Sequence, residues 1–288
     1  MREPAAARIH LEEGRPLYDP QQHRSYVTLY GGHDPGVCNG NFGAGTLWSL
    51  GYPDRALESS QEALRLAREL GHPLTTAIAY CFATWTHYFR GDIPSATGTA
   101  EAAVALATAQ GFQLWGDHSS AVLSCIRAAR GEGIELAGEV ERKLQTVPLH
   151  LWTWRDMFAF LVLVEAYGKT GHFEKGLHLL SRTMAEPRLV KYYEPQLCRL
   201  KGQLLAWQGP HTSSAAEECF RRAIEISRAR QAKSHELQAA TGLAQLLART
   251  GRREEARQTL ADVYGWFSEG FDTASLRDAK ALLDELSG

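Results

Sequence analysis

The sequence is poor in the features that mark secreted, membrane-spanning or nucleic-acid-binding chains. Of 288 residues only five are cysteine (Cys38, Cys81, Cys125, Cys198, Cys219), an odd number, widely spaced. They form no Cys-x-x-Cys pair, which excludes a disulfide scaffold and fits buried, reduced thiols in a cytoplasmic protein. Uninterrupted apolar runs fall far below the ~18 residues that cross a bilayer, which excludes a transmembrane helix. Met1-Arg2-Glu3-Pro4 leads into no apolar stretch, so no signal peptide is expected. Charge of one sign is lacking too. Lys+Arg 31 against Asp+Glu 33, a net charge of -2, offers no broad surface for tracking phosphates. With 11 prolines, nothing reads as a β-rich domain. What is present is 44% hydrophobic residues with 22% charged, too apolar for a disordered chain and long enough for one or two domains.

The chain also repeats. Steps of 40 residues from Gly51 reach Gly91, Gly131, Gly171, His211 and Gly251. With 26 glycines in 288 residues, chance places glycine at about one position in eleven, so five of six marks a period. Five residues beyond each stand Ala56, Ala96, Leu136, Gly176, Ala216 and Ala256; thirteen beyond stand Leu64, Val104, Leu144, Met184, Ile224 and Tyr264, all apolar. Each unit reads as two helices. The second starts just past the glycine, as in Asp54 to Ala67, where Ala56, Leu57, Ser60, Ala63, Leu64 and Ala67 share one face. The first precedes it, as in Phe158 to Lys169 and Gln238 to Arg249. Glycine ends the first helix in a left-handed turn, and the small residue after it lets the second helix cross close by. Such pairs bury their remaining faces on neighbouring pairs.

Gly51, Ala56 and Ala63, repeated as Gly91, Ala96 and Ala103, resemble the tetratricopeptide repeat, although that repeat's usual period is about 34. HEAT-type repeats share the longer period but lack the glycine-then-small-residue turn. The expected fold is therefore all-α: a tetratricopeptide-like, right-handed superhelical solenoid forming a single domain over residues 1–288. Six helix pairs fit at about 37–75, 76–114, 115–148, 149–188, 189–230 and 231–270. A half repeat from Ala5 to Tyr18 precedes them. A capping helix at 272–287 follows, with Asp272 as its N-cap and Leu276, Ala279, Leu282, Leu283 and Leu286 facing inward. No comparable cap stands at the start, which leads us to expect a piece of a longer protein or a docking N-terminus. Two irregularities are expected. The third repeat, around Gly131-Glu132-Gly133-Ile134, lacks its small residue, and the first helix carries Gly36, Gly40, Gly43 and Gly45, poor helix formers at ~1 kcal/mol each relative to alanine.

Particular segments add a family resemblance. Tyr30 to Val37 followed by Leu50 to Leu57, then Leu70-Gly71-His72-Pro73, Leu200-Lys201-Gly202 and Tyr264 to Thr273, together resemble the C-terminal tetratricopeptide region of large bacterial multidomain signalling proteins. In those proteins a class III adenylate/guanylate cyclase-type domain and a predicted signal-transduction ATPase module come first. The resemblance runs from about Ala5 to the C-terminus. It implies a sensor or scaffold region without catalysis of its own.

Catalytic and cofactor motifs are scarce. Gly168-Lys169-Thr170 matches the tail of a phosphate-binding loop, but Leu163 stands where the upstream glycine belongs and a helix end is expected there. Gly40 to Gly45 is glycine-rich without the dinucleotide-binding spacing, and close helix packing accounts for it. Eleven histidines are scattered; His172 and His178 have no third ligand nearby in sequence, so no metal is expected. Acid pairs such as Glu217/Glu218 and Glu254/Glu255 read as helix-dipole partners. No cofactor and no catalytic residue are expected.

Binding is the better reading. In such solenoids the first helices line the concave face, here through Asn41 and Trp48, then Cys81, Trp85 and Tyr88 with Phe89. Later units add His118, Cys125, Arg155 with Trp152 and Trp154, Glu165, Lys201, Gln238 and Gln245. Aromatics with isolated charges suit a peptide or small-effector groove, although part of any such set belongs to the inter-helix core. Expected partners are a protein or peptide segment or a small effector, with homo-oligomerisation through the N-terminal half repeat a further option, and neither nucleic acid nor membrane. The alternative is an enzyme whose site is assembled across the groove helices.

Overall fold

The structure, a computed structural model, describes residues 3–29 and 32–288. Met1 and Arg2, and the Tyr30-Gly31 opening of the first family-like segment, lie outside the described residues. Among the described residues the fold is all-α, with fifteen α-helices, short 3-10 turns and no strand. Helices α1 (Pro4–Gly14) and α2 (Pro20–His23) come first. Six pairs follow: α3 (Pro35–Leu50) with α4 (Pro53–Leu70), α5 (Pro73–Arg90) with α6 (Ile93–Gln110), α7 (Gln113–Ala129) with α8 (Ile134–Thr146), α9 (Trp154–Lys169) with α10 (Phe173–Met184), α11 (Pro187–Gln208) with α12 (Ser213–Ala229), and α13 (Lys233–Arg249) with α14 (Arg253–Tyr264). The last helix is α15 (Ala274–Ser287). The helices gather into two compact units, residues 3–123 and 124–288.

The helix ends follow from local chemistry. Pro35, Pro53, Pro73 and Pro187 each occupy the first turn of a helix, where the missing N–H costs nothing. Pro35, Pro73 and Pro187 set first-helix starts two or three residues before the expected unit boundaries at 37, 76 and 189. The Asp34 carboxylate caps α3, accepting from the Gly36 and Val37 N–H groups at 2.8 and 3.0 Å and from the Tyr18 hydroxyl at 2.8 Å. The lone helix expected over 5–18 is α1 plus a 3-10 turn, Arg15–Leu17, because Pro16 cannot extend an α-helix beyond Gly14. Asp272 does not cap the last helix. Thr273, in extended backbone (φ -71, ψ 149), holds the N-cap position, and its hydroxyl donates back to the Gly270 carbonyl at 2.7 Å.

Pairing rests on small residues. The fourth position of each second helix is Ala56, Ala96, Ala137, Gly176, Ala216 and Ala256, all buried. In α4 and α6 the stripe continues as Ser60, Ala63 and Ala67, and as Ala100, Ala103 and Ala107. Small side chains at i, i+4, i+7 and i+11 let helix axes approach to the short end of the usual 8–10 Å range. The third repeat keeps this rule through a shift. Gly133 (φ 76) inserts one residue into the turn after Gly131 (φ 82), so Ala137, not position 136, takes the buried fourth position of α8. The glycines of α3 likewise serve contact. A Cβ on Gly40 would lie 2.9 Å from the Ala63 Cβ, and the Ser59 hydroxyl donates to the Gly40 carbonyl at 2.9 Å.

One turn departs from the glycine rule. Gly71 (φ 63) and Gly111 (φ 71) end second helices in the left-handed region, and at the corresponding turn after α12 stands Gln231, with φ 55. A side chain there costs about 1–2 kcal/mol, partly offset by the extra freedom that glycine brings to the unfolded chain. Gln231→Gly is therefore expected to stabilise the protein by roughly 0.5–1 kcal/mol, read as a Tm increase of a few degrees in a calorimetric melt. An unchanged or lower Tm would count against strain at this turn.

Candidate functional site

In the first unit, residues 3–123, an aromatic face is built from first helices. Phe42 of α3 meets Phe82 of α5 at 5.1 Å between ring centroids, edge to face, and Phe82 leads on to Trp85 at 4.9 Å. Trp85 in turn meets the His118 ring of α7 at 5.7 Å. Trp48 of α3 stacks on Phe89 of α5 at 4.4 Å, and Phe89 continues to Tyr88 at 6.3 Å. Phe42–Phe82, Trp85–His118 and Phe89–Tyr88 meet edge to face, an arrangement the ring quadrupole favours. Cys81 and Ser119 add a polar contact between α5 and α7, Sγ to Oγ 3.0 Å. Trp85, Tyr88, Phe89 and Phe42 keep part of their surface open to solvent, whereas Trp48, Cys81 and His118 are buried. Asn41 is buried as well, at 2% exposure, and neither atom of its carboxamide has a hydrogen-bond partner.

A second cleft in the same unit lies among α1, α3 and α4. It is lined by Asn39, Gly43, Thr46 and Ser59 together with Arg8, Arg15, Arg55 and three glutamates. The Asn39 amide also donates to the Leu11 carbonyl at 3.0 Å, which ties α1 to α3.

In the second unit, residues 124–288, first helices are joined by polar bridges. Arg199 of α11 donates to Glu165 of α9 at 2.5 Å, Gln196 of α11 pairs with His235 of α13 at 3.0 Å, and Gln238 of α13 reaches Ser275 of α15 at 3.4 Å. Glu165 and Gln238 are thus engaged with neighbouring helices. Lys201 and Gln245 are half-buried, and Arg155 lies over the Trp154 ring at 5.2 Å. Trp152 belongs to the core: it is 5% exposed, its indole N–H donates to the Val147 carbonyl at 3.0 Å, and its ring packs on Phe160. Cys125 is fully buried, and burial pushes its thiol up to about 12.

His235 is the strongly shifted titratable group of this ladder. Burial, reinforced by the charges of Arg199 and Arg230, pushes its imidazole down to about 3. The folded state therefore holds it neutral at pH values where the unfolded chain, near the ordinary value of about 6.5, takes up a proton. Its contribution to stability is full above about pH 6.5 and is lost as pH falls from there toward 3. A stability-versus-pH series in urea is expected to fall on acidification with a slope of up to about 1.4 kcal/mol per pH unit from this group. His235→Leu should flatten that slope between pH 6.5 and 4.5 whatever it does to absolute stability; an unaltered slope would refute the assignment.

The motif-like segments find structural uses. Gly168, in the last turn of α9, packs against the Trp207 ring and Leu204, whose atoms lie 2.5 and 2.8 Å from the position of a Cβ. Lys169 is exposed on the last turn. His172 pairs with Thr170 at 3.1 Å, and His178 is exposed. Among the described residues no three His, Cys, Asp or Glu side chains are placed to share a metal ion, and no helix is long and apolar enough to cross a membrane.

The residues not anticipated from sequence are Phe42, Phe82, Ser119, Gln196, Arg199 and His235. Their signal is separation by one repeat. Cross-helix pairs such as Cys81/Ser119, Gln196/His235 and Gln238/Ser275 are 38, 39 and 37 residues apart.

No family model matches the chain. No curated protein matches it. Among solved structures it is similar to the crystal structure of yeast Tom70, with 14% sequence identity and a TM-score of 0.47, over 92% of this chain and 48% of that one. The chain thus spans about half the length of that structure. Assignment to a helix-pair repeat fold rests on the chain's own helices and their spacing.

Proposed function

We propose that this chain is a non-catalytic interaction scaffold that docks a protein or peptide segment on the first-helix face of α3, α5 and α7. The observation that carries this reading is the run of partly open rings, Phe42, Trp85, Tyr88 and Phe89, on helices otherwise used for packing. Rings of this kind supply large contact area at low entropic cost, and tryptophan and tyrosine dominate the energetics of many interfaces. The resemblance to bacterial signalling proteins supports a finer statement: the chain is a regulatory part of a signalling ATPase/cyclase-type protein in the cytoplasm. A small effector in the same groove, or self-association through α1, belongs to the same class of function.

The test is capture on the immobilised full chain, with Trp85 and Tyr88 intact or both replaced by alanine. Partners held by the native chain should be lost from the double variant while its melting curve stays native-like. An identical captured set from both proteins would sink the reading. The coding sequence adjoining this one tests the finer statement, since an ATPase or cyclase module is expected there.

A further inference from the structure

The aromatic face has a second property, and it concerns charge. Helix α3 contains no Asp, Glu, Lys or Arg over its sixteen residues, Pro35–Leu50. Helix α5 contains one, Arg90, in its last position. Its guanidinium is already committed, donating to the Pro53 carbonyl at 2.6 Å and to Asp54 at 2.9 Å. The part of α7 in the same unit adds only Asp117, which is exposed. The second unit is different: α9, α11 and α13 carry charges along their lengths, among them Arg155, Glu165, Arg199, Lys201 and Glu236.

An acidic or basic segment laid across α3 and α5 would lose hydration without meeting an opposite charge, which is costly. An apolar segment would meet the partly open rings of Phe42 on α3 and of Trp85, Tyr88 and Phe89 on α5. Building on the docking reading above, we propose that this face takes an uncharged peptide segment rich in aliphatic or aromatic side chains and discriminates against acidic ones. Discrimination of this kind comes from the missing counter-charge, since a partner is rejected by the groups it would leave unpaired. Affinity should accordingly be nearly independent of salt, because no ion pair is formed for salt to screen.

The probe is a displayed library of random twelve-residue peptides sorted on the full chain, followed by titration of the recovered peptides. The expected result is recovered sequences of near-zero net charge. Their Kd should change less than twofold between 50 and 500 mM NaCl and weaken at least tenfold with Trp85→Ala. Tyr88→Ala serves as the second variant, and both are first checked for a native-like melt. Acidic peptides that depend on Trp85 and weaken more than tenfold with salt would overturn the charge rule while leaving docking intact. Peptides insensitive to both substitutions, or no recovered peptides, would overturn docking and this inference together. Mass doubling by light scattering that Trp85→Ala abolishes would assign the face to a second copy of the chain, overturning the proposal.

Discussion

Replacing Phe220 by alanine is expected to lower stability by about 3–5 kcal/mol, the range for removing a buried phenylalanine from a core that cannot collapse around the loss. Phe220 of α12 is fully buried, and its ring fills a notch made by two glycines, one on each neighbouring first helix. A Cβ on Gly202 of α11 would lie 3.1 Å from the ring, and one on Gly242 of α13 would lie 2.6 Å from it. The site has little freedom to close, because α11, α12 and α13 are held around it by Ala216, Ala223, Leu243 and Leu247, all nearly or completely buried. The measurement is urea unfolding followed by circular dichroism. The converse substitution, Gly242→Leu, places a side chain where the ring already stands and should destabilise by overpacking, typically 1–3 kcal/mol. Restoring space with Phe220→Ala in that background should recover part of the loss, whereas simple additivity of the two changes would disprove direct contact.

This notch shows what sequence could and could not convey. The 40-residue period predicts the helix pairs, and Gly202 and Gly242 are one period apart. Steric necessity ties composition to position wherever two helices cross, so turn glycines and small residues of the second helices are legible. Boundaries are less so, because prolines and the inserted Gly133 move helix starts without altering composition. At the candidate site, the identity of the aromatic positions was legible and their burial was not. Trp48 and Trp85 are both tryptophans on first helices, yet Trp48 is buried, stacked on Phe89, while Trp85 stays partly exposed. That difference depends on which neighbouring ring leans over which, and no spacing rule encodes it. The polar ladder is not legible in the sequence for a related reason. Gln196 and His235 look like isolated polar residues until helices one repeat apart are set side by side.

Asn41 carries a cost in stability, and Asn41→Leu should remove it. The side chain is 2% exposed, and both its amide nitrogen and its carbonyl oxygen lack partners. It lies in a buried row of α3 with Val37, Ala44 and Trp48, positions i-4, i+3 and i+7 from it, where an apolar side chain is the natural occupant. A buried polar group without a hydrogen bond costs about 1–3 kcal/mol, and leucine keeps the γ-branched shape without that cost. Asn41→Leu is therefore expected to raise stability by roughly 1–3 kcal/mol, equivalent to a Tm increase of several degrees. Asn41→Ala, smaller than the native side chain, controls for overpacking and should lose less than an ordinary core truncation. Destabilisation by both variants would mean that the carboxamide is satisfied in solution. Groups that cost stability are often kept where activity needs them, and the proposed docking on α3 offers a test of this for Asn41. Capture should then weaken in Asn41→Leu even as the melting temperature rises. A variant that is both more stable and fully competent in capture would confine Asn41 to the core and leave docking to the rings of Trp85 and Tyr88.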